Sequence, residues 1–116
     1  MAFEYVIKDQ GGVHYVTFTV HQWVDVFTRD SYREEIITNL RYCQNHKGLE
    51  IFTWVIMSNH CHMILRAKEE NLSDIIRDFR KFTAKKLFNM LETNPYESRK
   101  SWILKLLSLD GVYILK

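Results

Sequence analysis

Two histidines interrupt an apolar stretch in the middle of the chain. His60 and His62 lie within the run Trp54-Val55-Ile56-Met57-Ser58-Asn59-His60-Cys61-His62-Met63-Ile64-Leu65. Successive side chains of a strand point to opposite faces, so the two imidazoles should share one face. At about 6–7 Å apart along a strand, they can converge on one divalent metal ion, for which neutral imidazole is a good ligand. The pattern is short, and two histidines on a solvent-facing strand with no function would look the same.

The chain has two cysteines, Cys43 and Cys61, and their spacing matches no disulfide framework. A reduced, cytoplasmic protein is the simplest interpretation. Cys61 could act as a thiolate nucleophile beside the histidines, but the alternation of a strand points it away from both. We therefore expect Cys61 to be a packed core residue.

Length and composition indicate one globular domain that spans residues 1–116. The hydrophobic fraction of 47% and the aromatic fraction of 14% are typical of a folded protein rather than a disordered one. A mean hydropathy of -0.25 and the lack of a long apolar run argue against a membrane span. The N-terminus shows no basic segment followed by an apolar one, so no secretory signal is expected.

The first half of the chain predicts a strand and then a helix. Residues 13–20 are rich in β-branched and aromatic side chains and follow two glycines. Alternation would place Val16, Phe18 and Val20 on one face of this strand and Tyr15, Thr17 and Thr19 on the other. A capping-box pattern from Ser31 to Glu34 predicts the helix start, and His46-Lys47-Gly48 predicts its end.

The second half predicts a hairpin, a long helix and a final strand. Residues 49–56 and 60–67 should form adjacent strands joined by a turn at Ser58-Asn59. The next helix should begin near Asn71 and end at Asn94-Pro95, since proline disfavours helix before it. A short helix over residues 98–107 and a strand over 112–115 complete a βαββαβ order. That order is typical of an α+β, ferredoxin-like (RRM-like) sandwich, with an antiparallel sheet and two helices on one face.

The positive charge is concentrated in one helix. The net charge of the chain is only +2, but five bases lie between residues 77 and 86 against one acid, Asp78. Arg77, Lys81 and Lys85 follow i,i+4 spacing on one helix face, and Arg80 lies close by. Such a surface suits a polyanion such as DNA, although an ordinary solvated helix face is an equally good explanation.

Taken together, these segments resemble a known family. The similarity rests on the early strand around 14–19, on residues 55–62 with their Met-x-Asn-His-x-His core, and on the helix segment 79–85. This combination is similar to the single-tyrosine HUH transposases of insertion sequences and their REP-associated relatives. The resemblance runs from about residue 13 to about residue 104.

The resemblance implies DNA transposition chemistry on single-stranded or hairpin DNA by a homodimer. His60 and His62 would hold a divalent metal, Mg²⁺ or Mn²⁺, against a DNA phosphate. A tyrosine would attack that phosphate and form a 5′-phosphotyrosine link. Arg77, Arg80, Lys81 and Lys85 would contact the DNA. Cys61 takes a position where the family usually has a bulky hydrophobic residue.

The C-terminal part departs from the family pattern. The relatives carry their tyrosine on a further helix, in a segment for which this sequence shows no match. Tyr96 follows Asn94 and Pro95, which are residue types of the family's tyrosine segment but in the wrong order and place. Tyr113 is the one remaining candidate nucleophile at this end. The chain thus looks like a transposase that stops before its catalytic helix.

Three functions remain open at this point. The chain could be a metal-dependent transposase, with Tyr113 or a residue of another chain as the nucleophile. It could be a remnant that binds hairpin DNA without cutting it. It could also be an RRM-like RNA-binding domain, although the third strand carries histidines where that class shows aromatic residues.

Overall fold

A four-stranded antiparallel sheet and two helices make up the described part of the chain. The computed structural model describes residues 7–20, 29–95 and 112–115. The elements are β1 (His14–Val20), α1 (Asp30–His46), β2 (Leu49–Ile56), β3 (His60–Ala67), α2 (Leu72–Thr93) and β4 (Val112–Leu115). The sheet order is β2-β3-β1-β4. This is the expected ferredoxin-like βαββαβ arrangement, which confirms the predicted fold class.

The hairpin of β2 and β3 forms as the sequence predicts. The backbone N–H of Met57 donates a 2.7 Å hydrogen bond to the carbonyl oxygen of His60, which closes the turn through Ser58 and Asn59. The register of this pair shifts between Ile51 and Thr53, where β2 carries a bulge. Because β1 pairs with the other side of β3, the strand with the histidines lies in the middle of the sheet.

Helix α1 begins two residues earlier than the capping box predicted. Arg29 is the N-cap, and no side chain caps the helix. Ser31 therefore lies inside the first turn and is exposed, so the capping-box interpretation is wrong. Asp30 in that turn interacts favourably with the helix dipole. The C-terminal signal is confirmed, since the helix ends at His46 and Gly48 adopts a positive φ of 74°.

Helix α2 has the predicted limits. Asn71 is its N-cap, and the Asn71 carbonyl accepts backbone hydrogen bonds from Asp74 and Ile75 at 3.1 and 3.2 Å. The helix ends at Thr93, before Pro95, because the residue preceding a proline is pushed out of the helical region. Asn94 accordingly has extended backbone angles.

The core lies between the sheet and the two helices. It includes side chains from one face of the sheet and from the inward faces of α1 and α2, among them Val16, Phe18, Cys61, Met63, Leu65, Tyr32, Ile36, Leu40, Leu72, Ile76, Phe79, Leu87 and Leu91. The rings of Phe18 and Phe79 meet edge to face at 5.1 Å. The opposite face of the sheet is consequently the one that carries His60 and His62.

Two sequence expectations fall outside this description. The short helix predicted over residues 98–107 lies outside the described residues. That residues 1–116 form one domain stays a prediction. Within the described ranges, neither helix is long and apolar enough to cross a bilayer.

Candidate metal and DNA site

Strand alternation places the two histidines together on the sheet face away from the helices. Along β3, His60 and His62 are partly buried, whereas Cys61 and Met63 point into the core. In register, Thr19 of β1 lies opposite His60, and Thr17 lies opposite His62. The site is therefore built on the two central strands of a packed sheet, whose backbone is held from both sides.

The two imidazole rings approach each other closely. Their centroids are 4.7 Å apart and their planes meet at 78°. Nδ1 of His60 lies 2.7 Å from the side-chain oxygen of Asn59, the preceding residue in the turn. Because an amide oxygen only accepts, this contact favours a proton on Nδ1 of His60. The lone pair of that ring is then on Nε2.

His62 has two hydroxyl groups at the corresponding nitrogen. Nδ1 of His62 lies 2.7 Å from the hydroxyl oxygen of Tyr15 and 2.9 Å from that of Thr17. The Tyr15 ring also stacks on the imidazole, with centroids 5.4 Å apart and 24° between the planes. Sequence reasoning did not assign Tyr15, Thr17 or Asn59 to the site. The predicted alternation of β1, with Tyr15 and Thr17 on one face, was the signal that could have found two of them.

Cys61 is not a nucleophile in this arrangement. The residue is 1% exposed, and burial raises the pKa of its thiol to about 12. A backbone hydrogen bond at Phe18 opposes that rise only in part. The thiol therefore stays protonated near neutral pH, as expected for a packed core cysteine.

The donor set suits a divalent ion bound by two imidazoles. Both rings have Nδ1 in contact with an oxygen atom, the arrangement that orients metal-binding histidines in proteins. Among the described residues, no cluster of three or more His, Cys, Asp or Glu side chains could hold a metal. An ion bound here would take its other ligands from water, from a DNA phosphate or from residues outside the described ranges.

Tyr113 lies in β4, at the far side of β1 from the histidines. Its backbone is in register with Thr19, which in turn lies opposite His60. Tyr113, Thr19 and His60 therefore occupy one row across three strands. Neighbouring strands are about 4.8 Å apart, so the backbone of Tyr113 is roughly 10 Å from that of His60.

The basic residues of α2 lie on the other side of the sheet. Arg77, Lys81 and Lys85 are exposed, on the helix face opposite the one that packs on the sheet. Arg80 differs, because it is partly buried and burial lowers the pKa of its guanidinium group. The structure thus groups three of the four predicted DNA-binding residues, and it separates them from the histidines by the sheet and by a helix about 10 Å across.

The charges of this basic face are unequal. Arg77 forms ion pairs with Asp74 at 3.3 Å and with Asp78 at 3.2 Å. No ion pair of Lys81 or Lys85 is found within residues 7–20, 29–95 and 112–115. The positive charges of Lys81 and Lys85 are therefore less offset by neighbouring acids than the charge of Arg77.

Comparison with known proteins assigns the chain to a family. Residues 9–104 match the sequence profile of the family described as "Transposase IS200 like". No curated protein matches the chain. A crystal structure of a candidate transposase from Deinococcus radiodurans R1 is similar in fold, with a TM-score of 0.57 and 16% identity. That similarity covers 100% of this chain and 84% of the other.

A REP-associated tyrosine transposase bound to a REP hairpin is also similar, at 20% identity and a TM-score of 0.46. The match covers 74% of this chain and 52% of that protein. The profile match extends over most of the sequence and includes both histidines, all of α2 and the basic face. The chain therefore belongs to the IS200-like transposase family.

Proposed function

We propose that this chain binds single-stranded DNA that carries a hairpin, and that it holds a divalent metal with His60 and His62 to cleave and rejoin that DNA. The observation that carries the proposal is the pair of imidazoles 4.7 Å apart on an accessible sheet face. Each has Nδ1 engaged by a neighbouring oxygen. Membership of a transposase family indicates the reaction class, and the imidazoles of His60 and His62 are the groups that we propose as metal ligands.

The histidines would orient a bound Mg²⁺ or Mn²⁺ ion. Such an ion neutralises the charge that develops on a phosphate during phosphoryl transfer. The sheet contributes rigidity, since both histidines lie on the central strand β3 and are flanked by β1 and β2. A rigid pair of ligands keeps the scissile phosphate in one orientation toward the nucleophile.

Tyr113 is the proposed nucleophile. Its phenolic oxygen would lose its proton and form a bond to phosphorus, the bond between phosphorus and the 3′ oxygen would break, and the released 3′ oxygen would take up a proton to become a hydroxyl. The 5′-phosphotyrosine link keeps the energy of the phosphodiester for rejoining. The support is positional: Tyr113 shares a strand row with Thr19 and His60.

The DNA hairpin would contact α2. Lys81 and Lys85 supply exposed charge, with Arg77 and Arg80 beside them. Phosphate contacts of this kind fix a nucleic acid without reading its sequence. Because the basic face and the histidines lie on opposite sides of the sheet, a hairpin on α2 must pass its single-stranded flank around an edge of the molecule to reach the metal.

The proposal includes a homodimer in the cytoplasm. Strand β2 is an edge of the described sheet, and it exposes Phe52, Trp54 and Val55 to solvent at 56%, 49% and 48%. An edge strand with exposed apolar side chains favours association with another chain. Both cysteines are free and buried, which fits a reducing compartment.

A covalent adduct on a denaturing gel tests this function. Labelled hairpin DNA with a single-stranded flank is incubated with Mn²⁺ and with wild-type, Tyr113→Phe or Tyr42→Phe protein. We expect an adduct for the wild type and for Tyr42→Phe, whose exposed ring lies on α1, and none for Tyr113→Phe. An adduct that survives Tyr113→Phe would place the nucleophile elsewhere, and peptide mapping would identify it.

A second function has one observation in its favour. Among the described residues, no cluster of three or more His, Cys, Asp or Glu side chains could hold a metal, which fits a module that binds DNA without cutting it. Retained hairpin binding on a native gel, with no adduct under any metal, would establish that function. An RNA-binding role has no such support, because the family match is to transposases.

A further inference from the structure

We infer that Tyr15 and Thr17 are positioning residues that hold His62 in the tautomer with its proton on Nδ1, and that Asn59 does the same for His60. Both rings would then present the lone pair of Nε2 to the shared face. The inference rests on the proposed function in one respect, because it assumes that a metal binds at the sheet face that carries His60 and His62. The state of the rings can be measured without metal.

The contacts at His62 all fall on one ring nitrogen, Nδ1. Two hydroxyl oxygens lie within 2.9 Å of the same nitrogen, at 2.7 Å for Tyr15 and 2.9 Å for Thr17. One N–H can be shared between two acceptors in a three-centre hydrogen bond, and each hydroxyl oxygen has lone pairs to accept it. A proton on Nδ1 therefore satisfies both contacts at once and leaves Nε2 as the basic nitrogen.

The two hydroxyls differ in how firmly they are held. Thr17 is 9% exposed and lies directly opposite His62 in the strand register, so its oxygen is fixed by the sheet. Tyr15 is 48% exposed, and its ring is held mainly by stacking on the imidazole. Thr17 should therefore set the tautomer, while Tyr15 adds a second acceptor and limits rotation of the ring.

The same chain contains an internal reference for each tautomer. Nε2 of His14 lies 2.7 Å from the carbonyl oxygen of Asp9, which requires a proton on Nε2. Nδ1 of His46 lies 3.1 Å from the carbonyl oxygen of Tyr42, which requires a proton on Nδ1. A backbone carbonyl can only accept, so these two assignments follow from the geometry. His62 should resemble His46 and differ from His14.

Two-bond ¹H–¹⁵N correlation spectra of the metal-free protein, at a pH where the rings are neutral, test the inference. We expect the Nδ1–H pattern for His62 and His60 in the wild type. In Tyr15→Phe/Thr17→Val, His62 should lose that pattern while His14, His46 and His60 keep theirs. Unchanged signals of His14 and His46 show that the fold is intact. If the double variant does not fold, each single variant is measured in its place.

Metal binding gives the second measurement, with Mn²⁺ alone as the probe. Removal of the groups that orient a metal ligand typically weakens affinity by about 10- to 100-fold, and we expect that range for the double variant. Thr17→Ser keeps a hydroxyl and should retain most of the affinity that Thr17→Val removes. Tyr42→Phe, which removes the hydroxyl of an exposed tyrosine stacked on His46, should leave Mn²⁺ binding unchanged.

The outcomes separate this inference from the proposed function. An Nε2–H pattern for His62 in the wild type would overturn the positioning role, and so would Mn²⁺ binding that the double variant leaves unchanged. If the wild type binds no Mn²⁺ but His62 shows the Nδ1–H pattern and loses it in the double variant, the positioning role stands. In that case the metal part of the proposed function fails.

Discussion

The ring centroids of His60 and His62 lie 4.7 Å apart, closer than the roughly 6–7 Å that separates alternate residues of a strand. The rings must therefore lean toward each other, at 78° between their planes. This convergence distinguishes the pair from two independent surface histidines. It is the geometric basis for treating them as one site.

Replacement of either histidine should remove metal binding. His60→Ala or His62→Ala leaves a single imidazole, and one protein ligand rarely retains Mn²⁺ in water. We expect calorimetry to show at least a tenfold loss of Mn²⁺ affinity for each variant, with a thermal midpoint close to that of the wild type. His46→Ala is the matched control, because His46 is exposed in the last turn of α1. Equal affinity in all three variants would refute the ligand assignment.

Lys81 and Lys85 of α2 should contribute more to hairpin affinity than Arg77. Lys81→Glu/Lys85→Glu removes two charges that form no ion pair within the described residues, whereas Arg77→Gln removes one that is paired with Asp74 and Asp78. For every DNA phosphate that the variant no longer binds, the slope of log affinity against log salt should become shallower by about 0.7 to 0.9. Fluorescence anisotropy at several salt concentrations measures this slope. A larger effect for Arg77→Gln than for the lysine pair would contradict the assignment.

Asn39 and Thr83 should stabilise the contact of the two helices. The amide nitrogen of Asn39 donates a buried hydrogen bond of 3.1 Å to the Thr83 hydroxyl. Thr83→Val leaves that amide without its partner, which should lower the free energy of unfolding by about 1–3 kcal/mol. Urea denaturation measures the change. Thr93→Val, at an exposed position of the same helix, serves as the control and should change stability much less.

The ion pair of Lys47 and Asp78 should make stability depend on pH. The hydrogen bond from Lys47, at 3.1 Å, lowers the pKa of Asp78, and Arg77 adds to the effect. A lowered pKa in the folded state gives stability that is present above the unfolded value of about 4. That stability is lost as the pH falls through the folded pKa.

Asp78→Asn should therefore lower the thermal midpoint at pH 7, by a small amount because both partners are partly exposed. The difference from wild type should disappear at acidic pH. Asp30→Asn is the control, since its contact with Arg33 is longer at 3.8 Å and Asp30 is almost fully exposed. A difference that persists unchanged to about pH 2, below the usual aspartate pKa, would refute the role of the ion pair.

Both thiols should be inert in the folded protein. Burial raises the pKa of Cys43 and that of Cys61, the latter to about 12. A thiol reagent at about pH 8 should label neither until denaturant is added, because the thiolate is the reacting form. Ser31→Cys, at an exposed position, should label at once in the same assay. Rapid native labelling of Cys61 would reopen its role as a nucleophile.

The sequence by itself determined the elements and the face on which the histidines lie. Strand alternation is a local property with a period of two, so it separates His60 and His62 from Cys61 wherever the strand packs. The helix end at Gly48 and the break at Pro95 are also local, since they depend on the backbone preferences of one or two residues. The capping box is also a local signal, but it did not decide where α1 begins. Ser31 can cap a helix, but the helix continues past it to Asp30.

Only the tertiary structure decided what surrounds each histidine. Tyr15 and Thr17 are more than forty residues from His62 in the chain, and strand pairing brings them to its Nδ1 atom. The sequence likewise did not predict that the basic helix face lies far from the histidines, because Arg77 is only fifteen residues after His62 in the chain. Whether two nearby segments share a surface depends on which face of the sheet each one meets, and packing of α2 on the core face puts them on opposite sides.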